Sequence, residues 1–265
     1  MQPNSERQGL EWLKSWKNRN IELSIRLLER NRQRFPESDY GRRYLDVVCT
    51  LACGVDHPRV LHLGCGRDRS KVVRTITAAA AVRVVGVDRD VTSLSEYPGR
   101  QRVVADASAL PLQEASCDLA LSEEMFEHLE RPDAMAAEVA RVLRPGGRFV
   151  FATPNKLGYI GFVGWITPFW FHRLLQNVLN PGRDEGATLF PTFYRFNTGW
   201  AIDRIMRRHG LKKVRLDFTE AWPWMLRLHP LLVRIGFVWG WIVQRYEVLA
   251  PLRNRILGVY VRADN

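Results

Sequence analysis

Apolar residues recur at helical spacing over residues 7–34, where Leu10, Leu13, Ile21, Ile25 and Leu28 stand among Arg, Lys and Glu ahead of Pro36. This pattern predicts an amphipathic helix, and a second helix is expected from about Tyr40 to Cys53. The period then changes. Short β-branched or apolar runs at Arg59–Leu63, Val82–Val87, Arg102–Val104, Cys117–Ser122 and Arg148–Ala152 are separated by loops and by helical stretches such as Arg131–Leu143. That is the rhythm of βα units with five parallel strands. Pro145-Gly146-Gly147 reads as the stop signal of the helix before it. A helix over Thr198–His209 and strands at Lys213–Phe218 and Ile256–Arg262 follow. Residues 156–197 and 219–255, rich in Trp, Phe, Gly and Pro, break this rhythm and read as insertions.

Composition narrows the class. A chain of 265 residues, 46% hydrophobic and 25% charged, is a folded globular protein, which excludes a disulfide-stapled miniprotein, a fibrous repeat and a disordered tail. The formal net charge is +11, and residues 200–265 hold twelve basic against five acidic residues, so the basic excess is mostly C-terminal and suits an anionic partner. Cys49, Cys53, Cys65 and Cys117 form no CxxC pair and have no His at ligand spacing. No metal site is expected, and reduced thiols point to a cytoplasmic setting. Residues 1–20 lack the apolar run of a secretory leader, and the longest uncharged stretch, Leu157–His172, falls short of the ~20 apolar residues of a spanning helix.

The candidate chemistry begins where the first strand runs into Gly64-Cys65-Gly66, since such a turn lets backbone N–H groups approach a ligand at the carboxyl edge of a parallel sheet. A dinucleotide fingerprint would need glycine at position 69, where Arg69 stands, so the NAD reading weakens. Asp88, 24 residues after Gly64, ends the second strand, where a carboxylate accepts hydrogen bonds from a ribose diol or else caps the next helix. Asp106 follows the third strand. Two carboxylates without a basic phosphate clamp suit a ribose-bearing ligand that has no pyrophosphate.

With Gly86-Val87-Asp88, Ala105 to Pro111, Glu127 to Pro132 and Leu143 to Gly147 in this order, the sequence resembles the class I S-adenosylmethionine-dependent methyltransferases, closely over about residues 57–155. The resemblance implies an α/β, Rossmann-like doubly wound seven-stranded mixed sheet. To it are added a helical arm over residues 1–56 and an aromatic-rich cap on the domain of residues 57–265. It implies S-adenosyl-L-methionine as cofactor, with Gly64 and Gly66 against its methionyl part and His62, Cys65 and Asp68 beside them. Asp88 with Arg89 would hold the ribose, Asp106 with Ala107 would frame the adenine, and Ser122 and Glu123 would complete the site. Two positions depart from the family: His62 stands where an acid is usual and Asp68 where a third glycine is usual. Asp68 is then the candidate carboxylate for the cofactor's ammonium group.

The acceptor side is sought at the ends of the fourth and fifth strands. In quinone-biosynthesis O-methyltransferases a similar Glu-His pair lies beside the transferring methyl, which makes Glu127 and His128 the catalytic candidates, His128 as base. The alternative is a histidine that caps its own loop. Thr153-Pro154-Asn155 resembles the same group and lacks the Pro-Pro-aromatic sequence used to methylate DNA bases. Asn155, Tyr194 and Arg195 are candidates for the acceptor pocket. Tyr159, Phe162, Trp165, Phe169, Trp170 and Phe171 in one insertion, and Trp222, Trp224, Phe237, Trp239 and Trp241 with Arg227, Arg234 and Arg245 in the other, have the composition of a surface facing anionic lipid. A lid or a subunit contact is the other reading. The expected function is methyl transfer to a hydroxyl of an apolar or lipid-linked small molecule, with peripheral contact to the membrane's inner face. Nucleic acid is not the expected partner; an RNA methyltransferase and a non-catalytic cofactor-binding scaffold are the alternatives.

Overall fold

The structure, a computed structural model, describes residues 4–34, 40–67, 71–168, 170, 174 and 190–264, with only the helical backbone for residues 4–11, 13 and 34. Two helices, α1 (Asn4–Arg34) and α2 (Tyr40–Cys53), precede a central sheet. Its strands are β1 (Arg59–Leu63), β2 (Arg83–Asp88), β3 (Gln101–Val104), β4 (Cys117–Glu123), β5 (Leu143–Pro154), β6 (Leu211–Thr219) and β7 (Arg255–Arg262). Their order across the sheet is β3-β2-β1-β4-β5-β7-β6. The first five are parallel, and β7 runs antiparallel to both β5 and β6. The seven-stranded mixed sheet read from the sequence is therefore the one observed.

Both faces of the sheet are apolar, because successive side chains of the central strands alternate between two cores. Val60, Leu119, Leu121, Val150 and Val259 turn to one face, where α2 and α3 (Val72–Ala79) contribute Tyr44, Val48 and Ile76. Leu61, Leu63, Ala120, Phe149 and Phe151 turn to the other, covered by α5 (Pro132–Val142) and α7 (Gly199–Arg208). Phe126 packs there at 4.6 Å, ring centre to ring centre, from both Phe151 and Phe196. Burying such a ring stabilises by about 1.5–3 kcal/mol, which anchors the short 3-10 turn Phe126–His128 to the core.

The Pro145-Gly146-Gly147 reading needs correction. Helix α5 ends at Val142, and Leu143 is already paired with Cys117 in the sheet. The proline and glycines form an irregularity inside β5, where Gly146 takes a φ of 74° and the register jumps between Cys117 and Leu119. The remaining helices are α4 (Val91–Ser95), α6 (Tyr159–Ile166) and α8 (Pro230–Arg245). Helix α6 follows the carboxyl end of β5 and α8 follows that of β6; Pro154 and Thr219 both face Arg255 in the register. Phe169, Phe171 and residues 175–189 of the first aromatic insertion lie outside the described residues.

Candidate active site

At the end of β1, Gly64 and Gly66 have φ of 61° and 46°, the left-handed region that costs other residues roughly 1–2 kcal/mol. A Cβ on Gly64 would stand 2.9 Å from the Met125 side chain, so glycine is required there for space as well. Cys65 N–H donates to the Val87 carbonyl at 3.2 Å and locks the turn onto β2. Gly66 N–H donates to Asp88 Oδ2 at 2.8 Å, and Asp90 N–H donates to Asp88 Oδ1 at 2.9 Å. The cap of α4 is Asp90, which accepts from the backbone of Thr92 and Ser93. Asp88 is thus not a helix cap: each of its oxygens takes one backbone amide and keeps lone-pair capacity toward the cleft.

This turn opens into a cleft of about 660 Å³, also lined by His62, Arg67, Arg89, Asp106, Ala107, Ser108, Glu123, Glu124, Met125 and His128. Asp106 Oδ1 accepts from the Ser108 backbone at 2.7 Å and its hydroxyl at 2.6 Å. Partial burial of Asp106 raises its pKa, but the Ser108 hydrogen bonds and the charges of Arg131 and Arg89 outweigh it and hold the carboxyl below the ordinary range. His62 is buried, with Nδ1 3.3 Å from the Tyr97 hydroxyl. Desolvation lowers its pKa to about 4, so the ring beside the glycine turn is uncharged. Asp68 lies outside the described residues.

The other end of the motif is carried by the turn after β4. His128 Nδ1 donates to the Pro191 carbonyl at 2.8 Å, while Nε2 stands 3.7 Å from Glu127 Oε1. Burial lowers the His128 pKa, against the opposing effects of the Pro191 carbonyl and Glu124. Glu127 is buried, and desolvation followed by the nearby Glu124 charge pushes its pKa well up. Glu124, at a φ of 52°, pairs with the guanidinium of Arg255, which in turn lies over the Tyr40 ring at 4.6 Å. Tyr40, Glu124 and Phe190 line the same cleft.

Not every candidate from the sequence reaches this cleft. Asn155 is buried with its amide consumed: Nδ2 donates to the Pro251 and Arg253 carbonyls, both at 2.7 Å, and Oδ1 accepts from Leu157 N–H at 3.1 Å. It ties the end of β5 to the segment entering β7. Arg195 Nη1 donates to the Glu130 carbonyl at 2.8 Å, and Tyr194 N–H donates to the Glu127 carbonyl at 3.3 Å, so both hold residues 190–197 onto the His128 turn. Ser122 is buried within β4, paired with Leu63 and Phe151. Glu127 stands behind His128 and does not line the cleft. The missed lining residues divide in two. Glu124 and Met125 directly follow a strand already identified, a position that signals them, whereas Tyr40, Phe190 and the supporting Arg255 carry no local signal.

Residues 61–151 match the profile of the methyltransferase domain family. A probable S-adenosylmethionine-dependent methyltransferase of Mycolicibacterium smegmatis is 32% identical over 127 residues, 46% of this chain and 48% of that protein. A malonyl-[acyl-carrier protein] O-methyltransferase of Methylococcus capsulatus is 51% identical over 141 residues, 52% of this chain and 45% of that protein. The chain thus spans about half the length of these curated relatives. Among solved structures, a geranyl diphosphate methyltransferase in complex with S-adenosylmethionine superposes with a TM-score of 0.51 at 14% identity, covering 83% of this chain and 84% of its own, which shows a shared fold. Sheet order, glycine turn and family match agree: residues 61–151 are a methyltransferase domain of the class I, S-adenosylmethionine-dependent kind.

Proposed function

We propose that this chain transfers a methyl group from S-adenosylmethionine to a hydroxyl of an apolar or lipid-linked small molecule, working in peripheral contact with an anionic membrane. The observation that carries the reading is the Gly66–Asp88 hydrogen bond of 2.8 Å, which holds a carboxylate with spare lone pairs against the glycine turn. The residues fit the cofactor. The Gly64 and Gly66 backbone would permit close approach of its methionyl part, Asp88 would accept from the ribose hydroxyls, and Asp106 and Ala107 would frame the adenine. When bound, the cofactor supplies an electrophilic methyl group on a sulfonium.

The rest of the chemistry falls to the chain. Because the Nδ1 proton of His128 is spent on Pro191, the neutral ring keeps its lone pair on Nε2 and can take the proton of an acceptor hydroxyl there. The charge then formed on the ring lies near the Glu127 and Glu124 carboxyls. Met125, Leu129 and Phe190 give the cleft an apolar wall, which supports an apolar acceptor. Asn155, Tyr194 and Arg195 serve this site by shaping its frame.

Calorimetric titration of the purified chain with S-adenosylmethionine and S-adenosylhomocysteine tests this reading. Micromolar binding that weakens at least about tenfold in Asp88→Ala is expected, from the loss of hydrogen bonds to a charged group. It would justify an acceptor screen beginning with lipid extracts. A folded wild-type chain that binds neither compound overturns the reading.

A further inference from the structure

Helix α8 is apolar on its outward face as well as its inward one. Val233, Gly236, Gly240 and Val243 face inward, and a Cβ on Gly236 would stand 2.6 Å from Pro223, so the glycines let the helix lie close upon the preceding turn. The outward positions, at helical spacing, are Leu231, Ile235, Val238 and Trp241, the last 64% exposed. Polar residues belong on such a face in a helix that meets only water. Helix α6 repeats the pattern with Phe162, Trp165 and Ile166 exposed.

Charge decides what covers these faces. From Ala221 to Tyr246 the sequence has no Asp or Glu, and from Asn155 to Leu174 it has none either. The exposed Arg234 and Arg245 rim α8, and Lys156 places its ammonium 3.7 Å from the centre of the Trp165 ring. Apolar faces on segments that carry cations and no acid of their own are complementary to anionic headgroups above an acyl layer. Position in the fold adds a second argument. Both helices follow strands that end opposite Arg255, at the carboxyl edge where the cleft opens. A Cβ on Gly164 of α6 would stand 2.8 Å from the Tyr194 hydroxyl, and Tyr194 is bound through its backbone to Glu127, next to His128. Among the described residues no helix is long and apolar enough to cross a membrane.

We infer that α6 and α8 form a docking surface for an anionic lipid bilayer, set at the edge of the cleft so that an acceptor is drawn from the bilayer to the His128 end. The docking stands on the exposed faces alone; only the delivery of an acceptor rests on the methyl-transfer reading.

Flotation of the full chain with phosphatidylglycerol–phosphatidylcholine vesicles, against phosphatidylcholine alone, tests it, with S-adenosylmethionine titration run on the same preparations. Expected is binding to the anionic vesicles that high salt weakens and that falls about tenfold or more in Val238→Glu/Trp241→Glu, as burial of apolar side chains in the interface requires. Cofactor affinity in that variant should stay unchanged, which also reports its fold. Vesicle binding without cofactor binding would keep the docking surface and sink the methyl-transfer reading. The inference is overturned if wild type stays with the protein-only fraction, if the variant floats as well as wild type, or if light scattering shows a dimer that the variant abolishes while vesicles are ignored. That last result would assign the face to a second copy of the chain.

Discussion

His128 gives its Nδ1 proton to the Pro191 carbonyl, 2.8 Å away and 63 residues later in the chain, and this one bond fixes which nitrogen of the ring can act as a base. Burial lowers the pKa of the same ring. Histidine NMR should therefore find the Nδ1–H tautomer and a titration midpoint below the ordinary value of about 6.5. In turnover, the acidic limb of kcat/KM should have its midpoint below that value too. His128→Ala should cost about 10²–10⁴-fold in kcat with little change in cofactor affinity. A midpoint at or above 6.5, or an Nε2–H tautomer, would remove His128 from the base role.

Gly64 is held by two constraints, a positive φ and the Met125 side chain at 2.9 Å from any added Cβ. Gly64→Ala should destabilise by about 1–3 kcal/mol and weaken S-adenosylmethionine binding, read by urea unfolding and calorimetry. Adding Met125→Ala should recover part of the stability, because it removes the Cγ and Sδ contacts and leaves the Cβ contact and the backbone strain. Full recovery would mean that the left-handed backbone matters little here.

His62 makes stability depend on pH. Its folded pKa of about 4 lies below its unfolded value of about 6.5, so the unfolded chain binds the proton first as pH falls. The contribution of the neutral ring is full above pH ~6.5 and is lost progressively down to pH ~4, by about 3 kcal/mol in all. Urea unfolding across this range should show a wild-type slope that His62→Leu flattens. Parallel curves for the two proteins would show that the ring titrates normally in the folded state.

Asn155 closes the frame behind the cleft. Asn155→Ala would strip the Pro251 and Arg253 carbonyls of their donor and should cost about 2–4 kcal/mol of stability, measured by denaturant unfolding. Cofactor affinity of the folded fraction should stay within about twofold of wild type, since no Asn155 atom lines the cleft. A large drop in acceptor affinity at unchanged stability would return Asn155 to substrate binding.

The amino-acid sequence by itself determined the order of strands and helices and the glycine turn and two carboxylates that line one side of the cleft. Both are local: periodicity is written in adjacent residues, and Gly64, Asp88 and Asp106 each stand at or within two residues of the end of a strand, so parallel strands bring them to one edge without further information. The tertiary structure alone decided the other side. Tyr40, Glu124 and Arg255 meet because antiparallel β7 lies against β5 and turns its first residue toward the loop after β4. Asn155 stands one residue past β5, where the chain entering β7 supplies two carbonyls to its amide before any acceptor could reach it. His62 and Ser122 show the same limit: residue type and position in a strand do not reveal whether a neighbour will leave a polar group facing the cleft or seal it in the core. Such burial is a sum over segments distant in sequence, and only the closed sheet fixes it.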